Sequence, residues 1–185
     1  MKILKVISSN KEKCICCMEE HIVKKVEAYD EVTFQNKKVG YEIECYYCDN
    51  DETFFEKEEQ MGLNSRNLRD AYRKQVGLYT SQQIADLRGK YSISQQDLCK
   101  VLGWGEKTIN RYENCAVQDM AHDSILKKLD NDPEWFLELL EARSSQINED
   151  SFIKSYDAAK TEYANAKDLY QAKLDRAKRL EKELK

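Results

Sequence analysis

The chain has 185 residues, of which 35% are charged and 41% hydrophobic, and it contains only six Gly and one Pro. This composition is typical of a helix-rich globular protein and excludes collagen, a proline-rich linker and a loop-rich fold held by disulfides. The net charge of −4 argues against a uniformly basic coat for nucleic acid, but residues 61–113 carry nine Lys or Arg against five Asp or Glu. The stretches on either side of it, residues 1–60 and 114–142, are acidic.

The N-terminus has the features of neither a membrane span nor a signal peptide. No stretch of eighteen apolar residues occurs in the chain, and the short apolar start soon gives way to the charged residues 11–13. We therefore expect a cytoplasmic protein. In a reducing compartment, seven cysteines favour metal binding or thiol reactivity over structural disulfides.

Four of the cysteines form two Cys-x-x-Cys pairs, Cys14 with Cys17 and Cys45 with Cys48, separated by 27 residues. This spacing resembles that of a zinc ribbon, in which four thiolates close a tetrahedron around a structural Zn²⁺ and leave no open position for catalysis. A redox dithiol and buried free thiols are the alternatives. Cys16, inside the first pair, is interpreted as a spare, mildly oxidisable thiol.

Residues 24–34 and 38–46 largely alternate apolar and polar side chains, with a turn at residues 35–37. We expect a short antiparallel hairpin or a three-stranded sheet, which makes residues 1–60 a zinc-binding β domain. Residues 61–79 have a weak helical period and predict a linker helix. Its Arg66, Arg69 and Arg73 either touch phosphates or form a solvated charged face.

Residues 80–142 predict five short helices. The first begins at a capping box at residues 80–83, the second is capped by Ser94, and the third runs from Glu106 to Asn114. The fourth covers residues 123–129, and the fifth begins at the Asp132-Pro133 step. The tight turn between the second and third helices is the layout of a helix-turn-helix domain.

In that layout the third helix enters the major groove, so its polar side chains are candidates for reading DNA. Arg111 suits guanine and Asn110 suits adenine, while the first turn of the second helix suits a phosphate or base edge. The alternative is that these residues form the solvated polar faces of an ordinary helical bundle that does not bind DNA. The candidate DNA-binding residues are Gln95, Gln96, Lys107, Thr108, Asn110 and Arg111.

The two cysteine pairs, followed by residues 93–97 and by residues 105–113 with their Arg-Tyr-Glu ending, resemble the MqsA-type antitoxins over residues 14–142. The resemblance implies an N-terminal zinc domain and an Xre/Cro-like helix-turn-helix. It implies a homodimeric repressor of its own promoter that binds a palindromic operator in double-stranded DNA, and a toxin that contacts the zinc domain. It makes the four paired cysteines zinc ligands and Arg111 a base contact. Lys107 stands where founding members have a base-reading Asn, so a different operator sequence is expected.

Residues 143–185 predict a helical tail. From residue 149 onward the chain has no Gly or Pro, and its apolar residues follow a heptad spacing interrupted by Lys173. Self-association, parallel or antiparallel, is the favoured role; the alternatives are packing on the head of the same chain, docking on another protein, taking the place of a third domain, and simple solvation. The seam residues are Phe152, Tyr156, Ala159, Tyr163, Ala166, Tyr170, Ala177, Leu180 and Leu184.

The sequence therefore predicts an α+β protein: a small zinc-binding β domain, a five-helix Xre/Cro-like domain and a long coiled-coil-like C-terminal helix. The expected function is that of a sequence-specific transcriptional regulator, an autoregulating antitoxin of a type II toxin-antitoxin system. The alternatives are a zinc-stabilised protein-interaction module, a phage-type regulator without a toxin, and a thiol redox switch. An enzyme is not expected, because His21 and His122 belong to no recognisable nucleophile motif and no glycine-rich phosphate loop occurs.

Overall fold

The structure, a computed structural model, describes the backbone of residues 1–183 and the side chains of residues 1–176. The chain forms two compact units: Met1–Ser81 with Asn114–Val117, and Gln82–Glu113 with Gln118–Lys185. The first contains a β-sheet and one helix, and the second is helical, so the predicted α+β class is confirmed. No helix among the described residues is long and apolar enough to cross a bilayer.

The sheet of the first unit has four antiparallel strands in the order β1-β2-β3-β4: β1 Lys2–Lys13, β2 Glu20–Phe34, β3 Lys37–Cys48 and β4 Thr53–Phe55. The predicted hairpin is β2–β3. Its turn is made by Gln35 and Asn36, both with positive φ (47° and 62°), as a two-residue turn that matches the twist of the strands requires. The strands place Val26, Ala28 and Ile43 in one buried cluster.

β4 and β1 were not predicted from the sequence, so the sheet has four strands where two or three were expected, and β1 is the longer of these two additions. The strand is paired with β2 on one side only, and its apolar residues, such as Leu4 and Val6, remain 48% exposed. The register shifts between Ile3 and Lys5 and again between Val6 and Ser8. Two such irregularities within twelve residues break the alternation by which a strand is recognised in a sequence.

Helix α1, Glu58–Val76, packs on β3 in the first unit and ends at Gly77, whose φ of 76° closes the helix in the left-handed region. The side-chain amide of Asn64 binds β3 twice. Its Nδ2 donates to the carbonyl of Glu44 at 2.7 Å, and its Oδ1 accepts from the Glu44 N–H at 3.0 Å. Because a buried amide with both bonds satisfied has one orientation, this contact fixes α1 on the strand.

Arg73 of α1 is 1% exposed. Its guanidinium donates to the carboxylate of Asp70 at 2.6 Å and to the carbonyl of Ala116 at 2.5 Å. Asp70 also accepts from the backbone N–H and the hydroxyl of Ser81. Arg73 is therefore a buried structural cation, and both interpretations of the sequence, a phosphate contact and a solvated charged face, are wrong for this residue.

The second unit contains the five predicted helices: α2 Ser81–Lys90, α3 Gln95–Leu102, α4 Thr108–Asn114, α5 Met120–Asn131 and α6 Pro133–Ala142. Ser94 caps α3 by accepting from the N–H of Asp97 at 3.0 Å, and Asp132 caps α6 at 3.0 Å from the N–H of Trp135. Both predicted caps are thus confirmed. Helix α5 begins three residues earlier than expected, because Asp119 caps it. The core includes Ile84, Leu87, Tyr91, Leu98, Ile109, Leu126, Leu129, Phe136 and Leu140.

After a 3-10 turn at Ser144–Gln146, the chain forms the predicted tail helix α7, Glu149–Glu183. Its first half packs antiparallel to α6. The hydroxyl of Tyr156 donates to Glu141 at 2.8 Å, and that of Tyr163 donates to Glu134 at 3.0 Å. Of the predicted seam, Ala177, Leu180 and Leu184 lie outside the residues whose side chains are described.

We expect Arg73→Leu to lower the free energy of unfolding by about 3 kcal/mol, because it leaves a partly buried carboxylate and a carbonyl without their cation. Chemical denaturation followed by circular dichroism measures the change. Lys74→Leu, at the exposed neighbouring position, is the matched control and should stay within about 0.5 kcal/mol of the parent. Equal stabilities of the two variants would contradict a structural role for the guanidinium.

Candidate metal centre and nucleic-acid interface

Three cysteines and one histidine converge at one end of the sheet: Cys14, Cys17, His21 and Cys48. Their ligand atoms all lie within 4.8 Å of one another. Two ligands of a tetrahedral zinc site, each roughly 2.3 Å from the ion, are about 3.8 Å apart. The four donors are therefore within a small side-chain adjustment of a closed tetrahedral site.

The loop between β1 and β2 presents two of these donors. Cys14 follows the end of β1, and its N–H donates to the carbonyl of Glu19 at 2.9 Å, which closes the loop. The N–H of Cys16 points at Cys14 Sγ at 3.4 Å. Met18 has a φ of 61°, so the chain turns sharply just after Cys17 and returns to β2. The Cys-x-x-Cys spacing thus produces a tight turn whose backbone faces the sulfurs.

His21, the second residue of β2, completes the group. Its Nδ1 lies 2.9 Å from the carbonyl of Ile22, and its Nε2 lies 3.5 Å from Cys48 Sγ. Since a carbonyl only accepts, Nδ1 donates in this contact, so Nε2, which faces the sulfurs, is the ring nitrogen that would bind a metal after losing its proton. A metal-binding histidine is usually oriented by such a bond from its other nitrogen.

The environment favours a thiolate at Cys14. Burial raises the pKa of this thiol, but hydrogen bonds from the backbone of Cys17, from His21 and from the backbone of Cys16 lower it to about 6. The pKa of His21 is raised, chiefly by its hydrogen bond to Cys14. A thiolate beside an imidazole is the donor chemistry that Zn²⁺ selects.

Cys45 lies elsewhere. It is fully buried in the cluster with Val26, Ala28 and Ile43, where burial raises the pKa of its thiol to about 11. The reason is that β3 remains extended through Cys48, and residues three apart on a strand point to opposite faces. The structure therefore brings Cys14, Cys17 and Cys48 of the expected ligand set together, and it puts His21 where the fourth cysteine was expected.

A Cys₃His donor set fits a structural zinc ion, because four protein ligands leave no coordination position for water. Sulfur and imidazole donors select against calcium and magnesium, which prefer oxygen. Cys48 is buried in a small cluster with Cys14 and Val23, with Tyr46 and Phe55 packed against it. This apolar shell keeps solvent away from one side of the site.

The second candidate site is formed by α3 and α4. Ile109 of α4 is buried, and its N–H points at Cys99 Sγ of α3 at 3.4 Å. This contact holds the two helices together and turns the polar side of α4 outward. Four of the predicted DNA-binding residues are exposed, namely Gln96, Lys107, Asn110 and Arg111, while Gln95 and Thr108 have intermediate exposure.

A chain of polar contacts runs from α2 to the outer side of α4. Arg88 of α2 donates to both carboxylate oxygens of the buried Glu113, at 2.9 and 3.2 Å. Glu113 also accepts from the amide of Gln95, whose Oε1 accepts from Asn110 Nδ2 at 2.9 Å. The outward-facing amide of Asn110 is therefore oriented by an ion pair inside the helical unit.

Sequence reasoning missed His21 and the Arg88–Glu113 pair. His21 lies four residues after Cys17, and this short spacing was the available signal, although the strand that carries it was not expected to begin there. Glu113 was noted only as the end of a family-like motif, and no local pattern links it to Arg88, which is 25 residues away. His122 lies in the first turn of α5 with its Nδ1 2.8 Å from Asp119, and it is not one of the four donors of the metal group.

Comparison with known proteins supports the resemblance seen in the residues. A family model described as the antitoxin component of a bacterial toxin-antitoxin system, MqsA, matches residues 12–140. No match was found among curated proteins or among solved structures. The matched range includes all four donors of the metal group and both helices of the candidate DNA interface. Since it covers more than half of the chain, the protein belongs to the MqsA antitoxin family.

Proposed function

We propose that this antitoxin is a zinc-stabilised, non-enzymatic repressor that binds a palindromic operator in double-stranded DNA as a homodimer and regulates its own promoter. The observation that carries the proposal is the match to the MqsA family, which spans both the Cys₃His group and the α3–α4 pair. The exposure of Arg111 and Asn110 on α4, and of Lys107 just before it, agrees with the proposal.

In the first unit, we assign the zinc ligands as Cys14, Cys17, His21 and Cys48. The ion supplies a covalent link between the β1–β2 loop and the end of β3, and it has no catalytic role. Such a link adds stability that a small sheet with an exposed first strand cannot obtain from its own core.

We expect Cys48→Ser to lose zinc and to destabilise the first unit, whereas Cys45→Ala should retain one zinc per chain. The reason is that Cys48 is in the donor group and Cys45 is in the apolar cluster. Metal content by atomic emission spectrometry, together with thermal unfolding, distinguishes the two. Loss of zinc from both Cys45→Ala and Cys48→Ser would restore the ligand set expected from the sequence and contradict this one.

In the second unit, α4 would enter the major groove and α3 would approach the backbone. Arg111 can bind the O6 and N7 atoms of guanine, and Asn110 can bind adenine, each such pair discriminating by about 1–3 kcal/mol. Lys107 and the first-turn residues Gln95 and Gln96 would contact phosphates or base edges, and Thr108 would pack nearby. The basic balance of residues 61–113 favours this use, because phosphate contacts supply most of the affinity.

A two-fold homodimer would place its α4 helices in successive major grooves about 34–36 Å apart, which requires half-sites one helical turn apart. A palindrome follows from this symmetry. The family description further makes a toxin the expected protein partner. Co-purification of the product of an adjacent small reading frame with this chain tests that partner directly.

We expect Arg111→Ala to weaken binding to a duplex obtained by selection from a random pool by about tenfold or more, and to relax the preference at one base pair in each half-site. Lys154→Ala, which removes an exposed cation from α7, is the matched control and should leave affinity unchanged. Fluorescence anisotropy on selected and scrambled duplexes gives both values. Equal weakening on the two duplexes would reduce Arg111 to a phosphate contact.

A second measurement separates DNA binding from a role as a protein-interaction module. Each phosphate that the protein neutralises adds about 0.9 to the slope of log affinity against log salt concentration. Lys107→Ala should therefore lower the slope by about 1.8 for a dimer, which has two copies of the residue. A parent slope near zero would mean that contact with DNA is incidental.

A further inference from the structure

The tail helix is much longer than the helix that supports it. Helix α6 has 10 residues, whereas α7 has 35. The last polar contact between the two that the structure describes joins Tyr163 to Glu134, at the start of α6. The part of α7 from residue 164 to residue 183, called here the arm, therefore continues for about 30 Å beyond α6, at ~1.5 Å per residue. A lone helix of this length is only marginally stable in water.

A row of tyrosines spaced by seven residues crosses the boundary between the supported half of α7 and the arm. Tyr156 and Tyr163 each donate to a glutamate of α6, and those glutamates, 141 and 134, are also seven residues apart. Tyr170 continues the row in the arm but is 66% exposed. The face of α7 that contacts α6 thus extends, in register, past the point where α6 begins.

The sequence changes at that boundary. Four residues after Tyr156 and Tyr163 stand Lys160 and Lys167, whose ammonium groups lie 5.1 and 4.4 Å from the ring centroids. The corresponding residue after Tyr170 is Leu174. In the same way, the residues just before the three tyrosines are Ser155, Glu162 and Leu169. The third heptad therefore has leucines at two positions that are polar in the first two heptads, and Leu169 is 57% exposed. This change occurs where α7 extends beyond α6.

Ala166, Leu169, Tyr170 and Leu174 form an apolar stripe on one side of the arm, wide enough for a helix that packs against a partner. We propose that the partner is the arm of a second copy of this chain, and that two arms pack against each other antiparallel. The inference rests on the proposed homodimer and supplies an interface for it outside the family-matched residues 12–140.

Charge supports a second copy in this orientation. Lys173 lies within the apolar stripe near the middle of residues 164–183, so two fully overlapping arms bring the two lysines close in either orientation, and the ends of the arms decide between the orientations. Antiparallel packing brings the end of each arm, which begins its basic run at Arg176, toward the start of the partner's α6. That helix carries the exposed acidic row Glu134, Glu138 and Glu141. The two charged stretches are complementary.

The test rewrites the third heptad to match the second. In the full-length protein, Leu169→Glu combined with Leu174→Lys recreates the pattern of Glu162, Tyr163 and Lys167 without changing the net charge. We expect at least a tenfold increase in the dimer dissociation constant by sedimentation equilibrium. We also expect fast hydrogen exchange of the amides of residues 164–176 at all protein concentrations. In the parent, these amides should become more protected as concentration rises.

Ala164→Lys combined with Ala172→Glu is the matched control, because it adds the same two charges to exposed positions away from the stripe. It should associate like the parent. Concentration-independent exchange in the arm of the parent, or equal association of the rewritten variant and the parent, would overturn the inference. Both measurements are made without DNA. A failure of operator binding would therefore not affect the result for the arm, and a failure of the arm to associate would not affect the test of operator binding.

Discussion

The first unit depends on the closeness of four donor atoms at one end of its sheet. Without an ion, three sulfurs and an imidazole packed within 4.8 Å would compete for protons and crowd their lone pairs together. With a divalent ion, the same closeness becomes the strongest link in the unit, because it joins the β1–β2 loop to the end of β3. Apolar packing near the site involves few residues, chiefly Val23, Tyr46 and Phe55. The ion would therefore determine the conformation of the loop, and the sheet would determine which residues reach the ion.

That second dependence explains why the donor group seen in the structure was only partly predictable. The spacing of Cys14 and Cys17 describes a turn, and the structure contains that turn. The equal spacing of Cys45 and Cys48 would form a turn only if β3 ended before Cys45. In the structure, β3 continues to Cys48. The side-chain alternation of a strand then separates the two sulfurs. Spacing alone does not locate the end of a strand, so the four-residue spacing of His21 from Cys17 did not by itself show that the start of β2 places His21 beside Cys48.

The helices were more predictable, because capping residues mark where several of them begin. Ser94 and Asp132 cap α3 and α6 as expected, and the pattern of buried residues follows the helical period. No local sequence pattern predicts the ion pair of Arg88 with Glu113. This pair has 26% and 8% of its side-chain surfaces exposed, and through Gln95 it orients Asn110. A family motif marks Glu113 as part of a pattern, but only the packed helices show its structural role, which is to hold the exposed polar side of α4 in place through Gln95 and Asn110.

The proposed role of the tail follows from the difference in length between α6 and α7. Glu141 and Glu134 of α6 each accept a hydrogen bond from one tyrosine of α7, in two successive heptads of α7. Because Glu134 is at the start of α6, the third heptad of α7 has no part of α6 beside it. A chain that needed only to cover α6 would gain nothing from further helix, because exposed polar heptads add little stability of their own. The third heptad instead exchanges its polar positions for Leu169 and Leu174 and keeps its tyrosine. Apolar residues placed where intramolecular support stops are expected of a surface completed by another chain. Because α6 runs antiparallel to α7, an antiparallel arm from a second copy would present to Tyr170 a helix in the same orientation as the one that Tyr156 and Tyr163 contact.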